Sequence, residues 1–183
     1  MFKKRSLLVL ATAFLLASCG KPADDGMDYG QNENPEVSPF AMYVVGSHWT
    51  WNPAEAVGEK ANQCKFTKET GSAKLVYEFD VTAGMVADWF GFKFVAAGSW
   101  SEQYGVEDID MEACNAGFKT LMGYTTKEAF RETYNKGKSD RSNIAPEGRV
   151  LGAHFKITYD PLDFRSEDDY TFHFVVDYTL PTA

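Results

Sequence analysis

The residues best suited to chemistry in this sequence are tryptophans, and their chemistry is ligand binding. They occur at positions 49, 51, 89 and 100. Trp51 lies in the turn-forming segment 46–56, directly after the first apolar run, and Trp100 follows the small residues 97–99. Neither loop needs a large indole for the core. Each of these two rings could therefore stack on the apolar face of a sugar.

Polar side chains that could complete a sugar site occur at two other positions. Lys93 alternates with Phe92 and Phe94, so on a strand it points to the face opposite both rings. Asn143 supplies a side-chain amide. An aromatic platform with a few directional polar groups is the usual form of a carbohydrate site. Lys93 and an amide such as Asn143 could then bond sugar hydroxyls.

Two alternatives remain open for the tryptophans. Trp49 could replace Trp51 as the aromatic platform, because both indoles stand in the same turn. Alternatively, each tryptophan could fill one end of the fold as part of the core, which would leave no sugar site. Composition alone favours this second alternative.

Sequence motifs for catalysis are not found. The chain has no GxSxG, HExxH, P-loop or dinucleotide-binding pattern, and its three histidines lie far apart. Asp108, Asp110 and Glu112 could suggest a calcium loop, but their spacing lacks the glycine and the terminal glutamate of an EF-hand. We expect a solvated acidic turn there. We expect no catalytic residue, no metal site and no cofactor.

The charge of the chain argues against nucleic-acid binding. The 183 residues carry a formal net charge of −8. The first 18 residues hold three basic and no acidic side chains, so the remaining 165 residues carry a formal charge of −11. Nucleic-acid binding requires a basic surface that displaces counterions from phosphates. We expect no nucleic-acid partner.

Residues 1–18 are predicted to be a lipoprotein signal peptide. A short basic stretch precedes an apolar run over 6–17, which is shorter than the ~20 residues of a membrane span and typical of a secretory signal. The segment 16–20, Leu-Ala-Ser-Cys-Gly, resembles a bacterial lipobox and predicts lipidation of Cys19. Several acyl chains would anchor the protein stably in a membrane. The alternative is an ordinary signal peptide with a chance cysteine.

The residues after Cys19 indicate where the anchored protein would lie. Gly20 stands where an aspartate would retain a lipoprotein in the inner membrane, so we expect the outer membrane. Asp24 and Asp25 resemble the acidic export signal of surface lipoproteins, which favours the cell surface. Residues 19–39 are rich in Gly, Pro, Asp and Asn and predict a flexible tether.

The domain of residues 40–183 is predicted to be all-β. Apolar and polar side chains alternate with a period of two in segments that turn residues separate. This pattern favours antiparallel strands with one wet face, packed as a sandwich. The predicted strands lie at 41–45, 74–81, 90–95, 154–159 and 170–177.

A short helical insertion is predicted at about 106–137. Apolar residues from Ile109 to Met122 are loosely spaced like one face of a helix. Thr125 and Glu128 have the spacing of a capping box, which predicts the start of a second helix. We expect these helices to pack over one end of the sandwich.

Two cysteines, Cys64 and Cys114, remain after lipidation of Cys19. In an exported chain they could pair as a disulfide. The closed loop would contribute about 4 kcal/mol in the chain-entropy model and would tie the insertion to the first long loop. The sequence does not decide between this pair and two free thiols.

Three blocks of sequence resemble the SusE/SusF outer-membrane starch-binding domains. The blocks occur in the family's order and span about residues 41–178. The same order resembles glycogen-binding modules related to the N-terminal domains of isoamylases. The blocks are YVVG with WNPAEA at 43–56, FKF with Trp100 and YG at 92–105, and NI, Gly148 and FKITYD at 143–160.

The resemblance implies an immunoglobulin-like antiparallel β-sandwich that binds glycan without catalysis. In the related modules, two tryptophans stack on glucose rings while a lysine and an asparagine bond hydroxyls. Carried over by motif, these positions are Trp51, Trp100, Lys93 and Asn143. The expected ligand is an α-glucan or related polysaccharide, captured for a neighbouring outer-membrane transporter and hydrolase. The alternatives are a structural or assembly lipoprotein and a protein-binding adhesin.

The chain departs from the SusE/SusF pattern in two respects. Those proteins usually carry several such domains in tandem, whereas this chain has room for one. The stretch 106–141 is also longer than the family's spacing and could reshape the site. Some domains of the family have lost sugar binding, so the fold does not by itself guarantee the function.

The lipid anchor can be tested by replacing its cysteine. Cys19→Ala should release the protein from membranes into a soluble exported fraction, because the acyl chains have no other attachment point. Labelled palmitate should enter the wild type and not the variant. Equal labelling of both forms, or a soluble wild type, would contradict the lipoprotein prediction.

Overall fold

The domain is built mainly from antiparallel β-sheets joined by turns and short helices. The computed structural model describes residues 41–134, 141–167 and 170–182. The predicted signal peptide 1–18, the lipidation site Cys19 and the tether 19–39 lie outside the described residues. Within the described ranges, no helix is long and apolar enough to cross a membrane.

In this part of the chain, nine strands form two larger sheets and a hairpin. The strands are β1 (Tyr43–Gly46), β2 (Thr67–Lys68), β3 (Leu75–Asp80), β4 (Phe92–Val95), β5 (Gln103–Tyr104), β6 (His154–Tyr159), β7 (Arg165–Glu167), β8 (Tyr170–Phe172) and β9 (Phe174–Thr179). The three-stranded sheet has the order β1-β4-β5, the four-stranded sheet has the order β2-β3-β6-β9, and β7 pairs with β8. All these pairings are antiparallel.

Aromatic rings join the two larger sheets face to face. Phe94 of β4 stacks on Phe174 of β9, with ring centroids 4.4 Å apart. Phe92 of β4 meets Phe155 of β6 edge-on at 6.3 Å. All four side chains are fully buried, and such ring pairs contribute about 0.5–1.5 kcal/mol beyond their buried area. The prediction of a mainly β, sandwich-like domain with antiparallel sheets is confirmed at this level.

The predicted period of two in burial holds in β6 and is wrong for β4, where all four residues, Lys93 and Val95 included, are buried. In β6, Phe155, Ile157 and Tyr159 are buried and the residues between them are partly exposed. The single strand predicted at 170–177 is wrong, because β8 ends before His173 and β9 begins after it. The carbonyl of His173 accepts a hydrogen bond from the Asp160 backbone N–H at 3.0 Å. The chain therefore passes from the hairpin to the four-stranded sheet at this residue.

Five short helices lie between the strands of the described chain. The first three were not predicted, because they are too short to show a helical period. Two of them begin at side-chain caps, from Asn52 and Thr82, which supply acceptors for N–H groups without a helical partner. The helices are α1 (Pro53–Val57), α2 (Ala61–Cys64), α3 (Ala83–Ala87), α4 (Ala116–Leu121) and α5 (Lys127–Tyr134).

The last two helices, α4 and α5, lie within the predicted insertion at 106–137, of which 135–137 fall outside the described residues. Asn115 joins α4 to the sandwich: its Oδ1 accepts from the backbone N–H groups of Phe118 and Tyr178 at 2.8 and 3.1 Å. The cap of α5 is Thr126 rather than the predicted Thr125, since its Oγ1 accepts from the backbone of the third helical residue at 3.2 Å.

The acidic segment at 108–112 is paired with arginines, so the expectation of a solvated turn is wrong. Asp108 is 4% exposed and lies 3.3 Å from Nη2 of Arg141. Asp110 lies 2.8 Å from Nη2 of Arg165, which also bonds Glu112. Burying a carboxylate is costly unless it is paired and hydrogen-bonded. These pairs therefore fix the start of the insertion to β7 and to residue 141.

The structure does not contain the disulfide between Cys64 and Cys114, because both thiols are free and buried. Cys64 lies on α2, which packs against β1 of the three-stranded sheet. Cys114 lies against the four-stranded sheet, where its Sγ accepts from the Val176 backbone N–H at 3.2 Å. The Cys114 thiol also donates to the carbonyl of Asp110 at 3.3 Å. The two sulfurs therefore lie against different sheets.

Both thiols should be unreactive in the folded protein. Burial raises the pKa of Cys114 to about 12 and also raises that of Cys64, so almost no thiolate, the nucleophilic form, is present at neutral pH. An alkylating reagent should modify neither cysteine in buffer and both in concentrated urea, as peptide mass spectrometry would measure. Recovery of a Cys64–Cys114 cross-linked peptide without reduction would contradict the structure.

Candidate functional site

An open cleft beside β4 and β5 brings together four of the residues predicted to bind a ligand. Its volume is about 320 Å³, within the range of small-molecule sites. Two of its lining residues, Trp89 and Gln103, are not among those predicted from the sequence. The lining residues are Trp51, Trp89, Lys93, Trp100, Gln103 and Asn143.

Three indoles form the apolar surface of the cleft. Trp51 contacts Trp89 at a centroid distance of 6.0 Å and Trp100 at 6.4 Å, with interplanar angles of 29° and 33°. Trp51 and Trp100 are 37% and 40% exposed, and Trp89 is 58% exposed. Large exposed apolar groups that cluster on a surface mark a binding site more often than scattered ones do. The three rings together are therefore the strongest indication of a ligand surface.

Hydrogen bonds around Glu55 fix the turn that carries Trp51. The carboxylate of Glu55 accepts from Thr50 Oγ1 at 2.8 Å and from Asn52 Nδ2 at 3.1 Å, and it lies 3.1 Å from Lys60 Nζ. The hydrogen bonds from Thr50, Lys60 and Asn52 lower the pKa of this carboxyl. Asn52 also caps α1. Trp51 thus lies between Thr50 and Asn52, which both donate to Glu55. These bonds fix the backbone at Trp51, while its ring is exposed.

Trp49 is part of the core, which corrects the suggestion that it could serve as the platform. Its ring meets Phe79 edge-on at 5.2 Å and Phe92 at 6.2 Å. The side chain is partly buried against the core and does not line the cleft. Phe79 lies on β3 and Phe92 on β4, so Trp49 contacts both of the larger sheets. Trp51, two residues later, remains outside.

Trp89 is held in place by its neighbours in the chain. A Cβ atom on Gly91 would lie 2.5 Å from Cη2 of Trp89, so the indole rests directly against a backbone that only glycine leaves open. Arg149 fixes the same segment: its Nη2 donates to the carbonyl of Asp88 at 2.7 Å, and its guanidinium lies 4.9 Å from the ring centroid of Phe90. The feature of the sequence that could have pointed to Trp89 is its position two residues before Gly91, which directly precedes β4.

Lys93 brings a cation to the opposite side of β4 from the core. Phe92 and Phe94 are fully buried between the sheets, whereas Lys93 lines the cleft and is 9% exposed. Its Nζ donates to Oε1 of Gln103 at 2.9 Å and lies 6.0 Å from the ring centroid of Trp100. The hairpin from β4 to β5 therefore supplies an indole, an ammonium and an amide to one end of the cleft.

Asn143 is exposed on a backbone that is firmly paired. Ile144 exchanges two backbone hydrogen bonds with Phe92, at 2.9 and 3.0 Å. The backbone N–H of Ser142 donates to both carboxylate oxygens of Glu107 at 2.9 Å. The segment thus runs alongside β4, and this pairing explains why a residue 50 positions after Lys93 reaches the same cleft.

The side chains that line the cleft offer apolar faces and hydrogen-bonding groups to a ligand. The described residues that line it include no carboxylic acid, histidine or cysteine, the groups that most often serve as nucleophile or general acid and base. Its indoles offer flat apolar faces, and its ammonium and amides offer hydrogen bonds to hydroxyl groups. This combination suits a ligand with both apolar faces and many hydroxyls, as sugar rings have.

Three other cavities of the described chain have no indole in their lining. One of about 270 Å³ beside β7 is lined mainly by polar and charged side chains, and one of about 400 Å³ beside α4 has no charged side chain. A more enclosed cavity beneath α5 measures about 40 Å³, which is room for a few waters. No group of three or more His, Cys, Asp or Glu side chains in residues 41–134, 141–167 and 170–182 could hold a metal ion.

No protein-family model, no curated protein and no solved structure matches this chain. The resemblance to SusE/SusF domains therefore stays a prediction from its three sequence blocks. The evidence for a ligand site in the cleft comes from its own residues and their geometry.

Replacing the core indole and a cleft indole should affect stability differently. Trp49→Ala removes a ring that packs among buried aromatics, and it should lower the free energy of unfolding by about 3 kcal/mol. Trp100→Ala removes an exposed ring and should lower it by less than about 1 kcal/mol. Urea unfolding measures both changes. Equal losses for the two variants would mean that the cleft tryptophans serve the core instead.

Proposed function

We propose that this protein is a non-catalytic, lipid-anchored outer-membrane protein that binds an α-glucan or related polysaccharide at the cell surface. The observation that carries the proposal is the cleft, in which three exposed indoles lie beside an ammonium and two amides. Stacking on sugar faces would supply most of the contact area. Hydrogen bonds from Lys93, Gln103 and Asn143 would orient the hydroxyls.

The proposed fold class is an immunoglobulin-like β-sandwich, as in the SusE/SusF domains. Two antiparallel sheets packed through aromatic rings support this assignment. The resemblance also assigns Trp51, Trp100, Lys93 and Asn143 to sugar binding, and these four residues line one cleft although they span more than half of the described chain. Their convergence would be a coincidence if the three sequence blocks had no functional meaning.

The proposed mechanism is equilibrium binding at a shallow site. A single open cleft would bind weakly, because stacking must offset the lost freedom of the sugar and the desolvation of its hydroxyls. Many copies anchored through Cys19 on one membrane would raise the effective affinity for a polymer. The bound glycan would then be held near a neighbouring outer-membrane transporter.

The competing proposal is a structural or assembly lipoprotein whose tryptophans belong to the core. Trp49 fits that description, since it packs on Phe79 and Phe92. The three cleft indoles do not fit it, because each is more than a third exposed. Sugar binding accounts for their exposure, and a purely structural role does not.

Substitutions in the cleft should weaken glucan binding without unfolding the protein. Trp51→Ala, Trp100→Ala and Lys93→Ala should each reduce retardation in glucan-containing native gels several-fold, because a lost stacking contact contributes about 1 kcal/mol and a charged hydrogen bond about 1.5–3 kcal/mol. Phe164→Ala is the matched control, since this ring is 52% exposed and lies outside the cleft. A wild type that ignores every glucan on a glycan array would contradict the proposal.

A further inference from the structure

We infer that the cleft takes at least three consecutive sugar rings of a glycan chain, and that Trp89 forms its outer subsite. The inference rests on the proposed function, since it specifies the ligand of the same cleft. Trp89 belongs to none of the three sequence blocks that suggest sugar binding. Its assignment to the cleft therefore rests on its position in the structure.

We call the three indoles, in the order Trp89, Trp51 and Trp100, the row, because Trp51 contacts both of the others. The centroid distances from Trp51 to Trp89 and to Trp100 are 6.0 and 6.4 Å. These distances are comparable to the spacing of neighbouring sugar rings in a glycan chain. One sugar can therefore stack near each indole, so the row matches three successive rings better than it matches one or two.

The two ends of the row differ in their polar groups. At the Trp100 end, Lys93 Nζ lies 6.0 Å from the indole centroid and bonds Gln103, so a sugar there would gain both stacking and hydrogen bonds. At the other end, Trp89 is the most exposed of the three indoles and would contribute mainly by stacking. A short glycan should therefore occupy Trp100 and Trp51 first, and only a longer one should reach Trp89.

The position of Trp89 is fixed by the backbone beneath it. The nearest atoms to a Cβ built on Gly91 are Cη2 and Cζ2 of Trp89, at 2.5 and 2.6 Å. The far edge of the indole therefore lies against Gly91, directly before β4. The Arg149 guanidinium donates to the carbonyls of Met85 and Asp88 and so fixes the backbone that precedes Trp89. An indole seated in this way is preorganised as a stacking surface.

The test measures how affinity depends on glycan length. The full-length protein, purified in a detergent without a sugar headgroup, is titrated calorimetrically with α-1,4-linked glucose di-, tri-, tetra- and hexasaccharides. Affinity should rise several-fold from the disaccharide to the longer sugars. Trp89→Ala should weaken binding of the longer sugars roughly 3- to 10-fold, as expected for one lost stacking contact, and leave the disaccharide unchanged. Phe164→Ala should bind every length like the wild type.

A second variant keeps the indole and removes its seat. Gly91→Ala places a methyl group where the far edge of the Trp89 ring now lies, and the exposed ring can swing away at little cost in stability. This variant should show the same length-dependent loss as Trp89→Ala, with an unchanged midpoint of thermal unfolding.

The outcomes separate this inference from the proposed function. Length-independent binding by the wild type, or an equal loss at every length in Trp89→Ala, would overturn the outer subsite while leaving sugar binding intact. The same holds if Trp89→Ala binds every sugar like the wild type. A wild type that binds no α-glucan of any length would overturn both proposals.

Discussion

The two-residue alternation of β4 is the constraint on which both the core and the cleft depend. Phe92 and Phe94 enter the space between the sheets, so Lys93 must point the other way, into the cleft. The other walls of the cleft are attached to the same strand: Trp89 precedes it, the turn with Trp100 follows it, and the segment with Asn143 pairs with Phe92. The burial of Phe92 and Phe94 therefore also fixes the positions of the residues around the cleft.

Much of this arrangement could be predicted because it depends on local patterns. The alternation of β6 is visible in the sequence and matches which of its side chains are buried. In β4 the same alternation separates Lys93 from the two phenylalanines, although the whole strand is buried. Trp100 stands in a short turn next to a strand, so its exposure follows from its neighbours in the chain. Lys93 needed only its position between two phenylalanines. The placement of Asn143 came instead from the resemblance of the sequence blocks, since no local pattern indicates which strand its segment joins.

The features that could not be predicted depend on partners far away in sequence. Asp108 is buried because Arg141 lies beside it, and nothing near residue 108 reveals that cation. Trp49 and Trp51 look equivalent in the sequence, but only the first meets the ring of Phe79. Cys114 is hydrogen-bonded to the backbone of β9. The presence of a second cysteine in the chain therefore does not show that the two sulfurs lie close together. In each case the local sequence does not determine whether the side chain is buried or what it bonds to, and contacts with distant residues do.

The pairing of β3 with β6 has a consequence for how the chain reaches its fold. Leu75 lies opposite Tyr159, so most of the domain must be present before the centre of the four-stranded sheet can form. Closing such a long loop costs entropy before any ladder bond compensates for it. Folding on the scale of milliseconds to seconds, as in other β-sandwiches, is the expected result. Until that step, the aromatic side chains of the core are exposed to water. The net negative charge of the chain then opposes association between unfolded copies.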